Sequence, residues 1–359
     1  MNKKVYFIPL KTRKSLLKRI IEVLQRSTFY KIFEKGDIIA IKLHMGEKNN
    51  TSFVRPIFVK QIYEFLISLG TKPFLTDTTT LYKGSRSTAV DYLNTASWNG
   101  FNFAPIIIAD GMFGTSYVPV KINKKHYSTV KIAEAIRNSD KIVVVTHFKG
   151  HEQTGFGGAI KNLGMGCAIK EGKLSMHSNA IPIIKEEYCT GCKKCEIFCP
   201  VDAISMVNRI AVIDKKKCIG CGECIGICPF NAIKIKWDAP IRSLVEKMVE
   251  YAYGVVFSKQ AIYINFLTNI SPQCDCYPFS DAPIVPDIGI LLSNDPVAID
   301  QASFDLVKGS DWTQNYDYSQ EKVDKFEVVN RGTFPEYQLD YAEKIGLGKR
   351  QYELKRIGS

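Results

Sequence analysis

Eight cysteines within the 40 residues from Cys189 to Cys228 constrain this chain more than any other feature of its sequence. They form two runs, Cys189-Thr-Gly-Cys192-Lys-Lys-Cys195-Glu-Ile-Phe-Cys199-Pro200 and Cys218-Ile-Gly-Cys221-Gly-Glu-Cys224-Ile-Gly-Ile-Cys228-Pro229, which start 29 residues apart. Both read C-x2-C-x2-C-x3-C-P, and they continue into Asp-Ala-Ile at 202–204 and Asn-Ala-Ile at 231–233. Repetition of this kind marks a pseudo-twofold unit. About sixty residues with so few large apolar side chains cannot build a core, so bound metal has to supply most of the folding energy.

The spacing has a physical cause. Three thiolates two residues apart wrap one face of a cubane, and the fourth cysteine of each run reaches the other cluster. By that rule Cys189, Cys192, Cys195 and Cys228 hold one [4Fe–4S] cluster, and Cys218, Cys221, Cys224 and Cys199 hold a second. Structural zinc needs neither the third cysteine nor the trailing proline twice over. The segment 181–237 is therefore expected to be an inserted α+β module of bacterial ferredoxin type.

Eleven cysteines would suggest disulfides in a small secreted chain, but eight of these sit in two tight groups and no signal peptide is expected. Met1-Asn2-Lys3-Lys4 precedes only six uncharged residues before Lys11, too few for a secretory apolar region. No run reaches the roughly 18 apolar residues of a membrane span. The expectation is a cytoplasmic protein of reducing, anaerobic surroundings, without membrane attachment. The formal charge of +12 falls to roughly +8 once two filled clusters, about −2 each, are counted. Lysines are scattered and accompany no nucleic-acid motif, which points to acidic partners and away from nucleic acid.

Outside the cysteine runs the 359 residues alternate between short apolar runs and helical periodicity. Val5–Ile8, Ile38–Leu43, Pro73–Thr76, Ile106–Ala109 and Ile142–Val145 read as buried strands. Helices are expected over Leu16–Leu24, Pro56–Leu69, Ala89–Ala96 and Val130–Asn138. After the insert, Arg242–Tyr251 and Pro296–Val307 read as helices, and Ala261–Phe266 and Ile288–Leu292 as strands. This grammar predicts an α/β host domain, 1–180 and 238–359, with a mainly parallel open sheet.

Ligands in such sheets bind beyond the carboxyl ends of the strands. Four expected strands end there in a polar residue: His44, Asp77, Asp110 and His147. His147-Phe-Lys-Gly-His151 leads into the glycine-rich Gly155–Asn162, a candidate anion cradle that contains Lys161 and fits neither nucleotide-binding loop pattern. His44, Asp77, Asp110, His147, His151 and Lys161 are thus the candidate catalytic residues. Cys167 and the Cys274-Asp-Cys276 pair are left over. With His177 they are candidates for a third metal or cluster site, against buried structural thiols or redox-active ones.

These segments resemble a known family, the uncharacterised iron–sulfur-centre proteins of bacteria and archaea (domain of unknown function 362), over roughly residues 35 to 310. The resemblance rests on Leu-Thr-Asp77-Thr, His147–His151, Gly155–Cys167, Gly172-Lys173 with His177, Cys274-Asp-Cys276 and Asp295-Pro-Val-Ala-Ile-Asp300. It implies a redox protein and transfers no mechanism. Three functions fit the residues: an oxidoreductase whose clusters exchange electrons with a site in the host, acting with a redox partner protein or a small-molecule substrate; an electron-transfer or scaffold subunit that docks a partner; and a redox sensor.

Overall fold

Runs of branched apolar residues build the centre of the fold. The computed structural model describes residues 3–10, 14–177, 181–218, 220, 222–235, 239–316 and 323–357. Eight strands make one sheet: β1 (Lys3–Pro9), β2 (Ile38–Lys42), β3 (Lys72–Asp77), β4 (Ile106–Ile108), β5 (Lys141–His147), β6 (Ala261–Leu267), β7 (Gly289–Ser293) and β8 (Tyr352–Arg356). Their order is β8-β1-β7-β6-β5-β2-β3-β4. Five of the seven neighbouring pairs are parallel, and β7 alone runs against both neighbours.

Alternate residues of β1, β5, β6 and β7 feed two cores. Val143 and Val145 of β5 pack with α1 (Leu16–Ser27), α2 (Pro56–Ser68) and α3 (Ala89–Trp98). Ile142 and Val144 face the other layer, with α4 (Ala159–Gly164), α6 (Ile241–Val256) and α7 (Pro296–Lys308). In chain order α5 (Lys170–His177) follows α4. Both faces are covered, which is why the strands read as unbroken apolar runs; each fully buried Val or Ile contributes roughly 1.5–3 kcal/mol. Among the described residues no helix is long and apolar enough to cross a membrane.

One expectation is corrected. Val130–Asn138 is not one helix. Thr129–Ala133 pairs antiparallel with Tyr117–Lys121, burying Val130 and Ile132 on one side, and the helix covers only Glu134–Asn138. The edge strand β8 carries no long apolar run and gave no signal, because its pairing with β1 leaves most of it exposed.

The cysteine-rich segment folds as two halves. Its helices Lys194–Ile197 and Glu223–Ile227 pack near the hairpin Ile204–Val207/Ile210–Ile213 and the pair Ile183–Ile184/Ile233–Lys234. Positive φ angles recur 29 residues apart at Gly191 and Gly220, Lys193 and Gly222, and Asp202 and Asn231. Glycine and Asp/Asn are the residues that accept this conformation cheaply, so the repeat seen in sequence is a repeat of backbone geometry.

Candidate functional site

The carboxyl ends of β2, β3 and β5 open into a cavity of about 850 Å³. His44, Asp77, His147, His151, Lys161, His177, Cys274 and Cys276 all line it. Parallel neighbours deliver their carboxyl ends to one edge, and this register brings together residues from positions 44 to 276.

The sharpest feature is the Cys274-Asp275-Cys276 loop. The two Sγ atoms lie 3.0 Å apart. Asp275, fully buried, turns the other way and anchors the loop. Its Oδ1 accepts from Ser52 Oγ at 3.1 Å and faces His147 Nδ1 at 2.8 Å, while Lys149 Nζ stands 3.5 Å from Oδ2. Burial alone would raise the carboxyl's pKa, but His147 and Lys149 outweigh it and hold it far below the usual range. His147 Nε2 faces the carbonyls of Thr268 and Asn269 at 3.0 and 3.1 Å. Both its ring nitrogens are therefore committed to fixing this loop, and the role that fits His147 is positioning.

Lys161, on α4, points its ammonium at Cys274 Sγ, 3.5 Å away. Burial works against that charge, and the two sulfurs and Glu152 overcome it, raising its pKa. The hydrogen bond between the thiols pushes Cys274 up and Cys276 down; burial adds to the first shift and opposes the second, while Lys161 and Arg86 favour the Cys276 thiolate. Cys276 Sγ is also 3.7 Å from His44 Nε2.

Two buried ion pairs frame the rest of the wall. Lys42 Nζ lies 2.8 Å from Asp77 Oδ1 and donates to Asn162 Oδ1 at 2.6 Å. Burial would raise the pKa of Asp77, but Lys42 holds it below the ordinary range, and Tyr92 donates to its other oxygen. Arg86 Nε lies 3.0 Å from Glu47 Oε2, and Arg86 Nη1 stands 2.8 Å from His44 Nε2. Burial and Arg86 lower the pKa of His44 to about 3, so its ring is neutral. His151 is neutral for the same first reason, burial, and its Nδ1 accepts from the Gln153 and Thr154 amides. Lys173 gives its three donors to Thr78 Oγ1, Thr79 O and Ala168 O, all within 2.8 Å.

Three sequence expectations fail at this site. Asp110 does not line the cavity: it is buried behind the wall, where it accepts from Thr79 N and Thr79 Oγ1 and shapes the 78–80 turn. Cys167 does not join the other two thiols. It is fully buried in the apolar core with Sγ near Asn162 O, and burial pushes its pKa up to about 12. The glycine-rich cradle is filled from within, because the amides of Ala159 and Ile160 donate to the Asp300 carboxylate at 2.7 and 2.9 Å. Lys42, Arg86, Lys149, Lys173 and Asp275 were not singled out as site residues. All five stand beside residues that were, or on the loop after β3, and what was lacking was which sides face the cavity.

The cysteine-rich segment has two small cavities of its own. One is lined by Cys189, Cys192, Cys195 and Cys228, the other by Cys199, Cys218 and Cys224. Cys221, the remaining residue of the second set, lies outside the described residues. Backbone amides point at the sulfurs in matching places: Ala203 N to Cys199 Sγ at 3.2 Å and Ala232 N to Cys228 Sγ at 3.3 Å. Such donors favour thiolate ligands. The first set has the four cysteines a cubane needs, and the three described cysteines of the second set repeat its crossed arrangement.

This segment rests directly on the host cavity. Leu81, which lines the cavity, packs in one apolar cluster with Leu174, Cys195, Ile225 and Cys228. Lys83, also on the wall, donates to Pro229 O. Gly226 takes the place that Ile197 has in the first half. Lys170 of α5 fills the space there, its Nζ 2.4 Å from where a Cβ would stand, whereas Ile197 is 73% exposed.

The sequence matches the family described as Domain of unknown function (DUF362) over residues 39–305. No curated protein matches it. Among solved structures, the lactate racemase apoprotein from Thermoanaerobacterium thermosaccharolyticum is similar at 12% identity and a TM-score of 0.38, covering 74% of this chain and 51% of that one. A protein from Thermotoga maritima is similar at 12% identity and a TM-score of 0.37, covering 70% and 50%. The chain spans about half the length of each.

Proposed function

The chain belongs to the DUF362 family, and from that premise we propose that it is a cytoplasmic iron–sulfur oxidoreductase whose inserted ferredoxin-type module exchanges electrons with the host cavity. Two [4Fe–4S] clusters, when bound, supply one-electron transfer. The chain's own residues do the rest. Cys189, Cys192, Cys195 and Cys228 would hold one cluster, and Cys199, Cys218, Cys221 and Cys224 the other. The module's Cys-lined core and the host cavity share Leu81, and this shared wall is the observation that carries the reading, since a redox enzyme needs its cofactors close to its reaction site. Asp275 and His147 orient the two thiols, Lys161 holds a positive charge against them, and the neutral ring of His44 packs beside Cys276. The electron donor or acceptor outside the chain is a redox partner protein or the small-molecule substrate itself.

Anaerobically purified protein is expected to contain about eight iron and eight sulfide per chain. Cys195→Ala should remove one cluster and, through the crossed ligands, weaken the other, read by iron analysis and electron paramagnetic resonance. One zinc per cysteine group without visible charge-transfer absorption would refute the reading.

A further inference from the structure

The pair at the centre of the cavity carries a more specific chemistry. A dithiol that exchanges with disulfides needs two sulfurs within bonding reach, one accessible and one sheltered, and a surround that stabilises a thiolate. All three conditions are met. Cys274 and Cys276 Sγ are 3.0 Å apart, Cys274 is 2% exposed while Cys276 is half-buried at the cavity wall, and Lys161 and Arg86 place their charges on the pair's side of the cavity. A metal ion is a poorer occupant, because Lys161 Nζ already stands 3.5 Å from one sulfur and Arg86 Nη1 2.8 Å from the nearest imidazole nitrogen. Cys167, which would complete a three-sulfur site, is in the core instead.

We propose that Cys274 and Cys276 are a redox-active dithiol, and that the cavity admits a low-molecular-weight disulfide bearing carboxylates. The inference rests on the reading that this cavity is the reaction site. The Cys276 thiolate attacks one sulfur of R–S–S–R, forming a mixed disulfide and expelling the first RS⁻. Cys274 gives up its proton and attacks Cys276 Sγ, closing the Cys274–Cys276 bond and expelling the second RS⁻. Two electrons pass from the dithiol to the small disulfide. The proton of Cys274 and one from solvent leave with the products as two thiols. Lys161 stands where it stabilises the thiolate that forms on Cys274. The preference for a carboxylated partner follows from the lining, which holds seven lysine and arginine side chains against the three carboxylates of Glu47, Asp77 and Glu152. The volume of about 850 Å³ suits a molecule of that class.

The test uses the full chain under anaerobic conditions, with oxidised glutathione as the probe. Differential alkylation and peptide mass analysis of the unaltered protein should show both Cys274 and Cys276 lost as free thiols in one intramolecular bond. Cys274→Ser should instead trap one glutathione on Cys276, and Cys276→Ser should trap none at Cys274 on the same timescale. Cys274→Ala serves if the serine variant does not fold. Both thiols remaining fully alkylatable after oxidant, or a stoichiometric metal ion held by the pair, would overturn the proposal. An equal rate with the neutral 2-hydroxyethyl disulfide would overturn the carboxylate preference; at least a tenfold advantage for glutathione disulfide is expected. Iron content, measured on the same samples, separates the two readings. Full iron without disulfide formation defeats the dithiol alone, and disulfide formation without iron defeats the cluster function alone.

Discussion

Replacing Asp275 with Ala tests the geometry most directly. The carboxylate is fully buried and holds His147 at 2.8 Å, Ser52 at 3.1 Å and Lys149 at 3.5 Å. Removing one partner of a buried pair leaves the others uncompensated and costs about 3–5 kcal/mol. With an unfolding entropy of about 2.1 cal/mol/K per residue over a host of about 300 residues, 1 kcal/mol corresponds to about 1.6 °C. The melting midpoint followed by circular dichroism should therefore fall by about 5–8 °C. Asp275→Asn keeps the size and part of the hydrogen bonding but loses the charge, so its drop should be smaller. The sign with pH follows from the lowered carboxyl pKa. A depressed folded value contributes stability above the unfolded pKa of about 3.9 and loses it as pH falls through the folded value. Wild type and variant should then converge in strong acid. The loop should also lose its aim, so alkylation of Cys276 changes rate in the variant. A midpoint shift under about 1 °C together with unchanged thiol reactivity would refute the assignment of Asp275 as the loop's anchor.

Other predictions are more local. The rings of His44 and His177, whose pKa values burial lowers to about 3, should show no titration between pH 5 and 8 by nuclear magnetic resonance; a midpoint near 6.5 in either would show that water reaches it. Gly158→Ala places a methyl 2.4 Å from Asp300 Oδ1 and should cost about 1–3 kcal/mol in a denaturant titration, with no loss showing that the Asp300 plug yields freely.

Periodicity and spacing carried much of this protein in the sequence itself. Runs such as Ile142–Val145 announced buried strands because both faces of the sheet are covered. The paired cysteine runs announced a twofold unit, because the loops that wrap them repeat the same positive-φ positions. His44, Asp77 and His147 could be placed at one edge in advance, since parallel strands all end on the same side. What no linear pattern encodes is direction at the end of a strand. Asp77 ends β3 and Asp110 lies just past the neighbouring β4, yet one faces the cavity against Lys42 and the other turns into the wall against Thr79. The sequence likewise offered three spare cysteines as equals. Strand β6 runs parallel to β5 and so delivers the 274–276 loop to the same sheet edge, while Cys167, after α4, is buried in the core. Local spacing determined which residues act together within a few turns of chain; only tertiary packing decided which distant ones meet, because a side chain's facing depends on the layers that close around it.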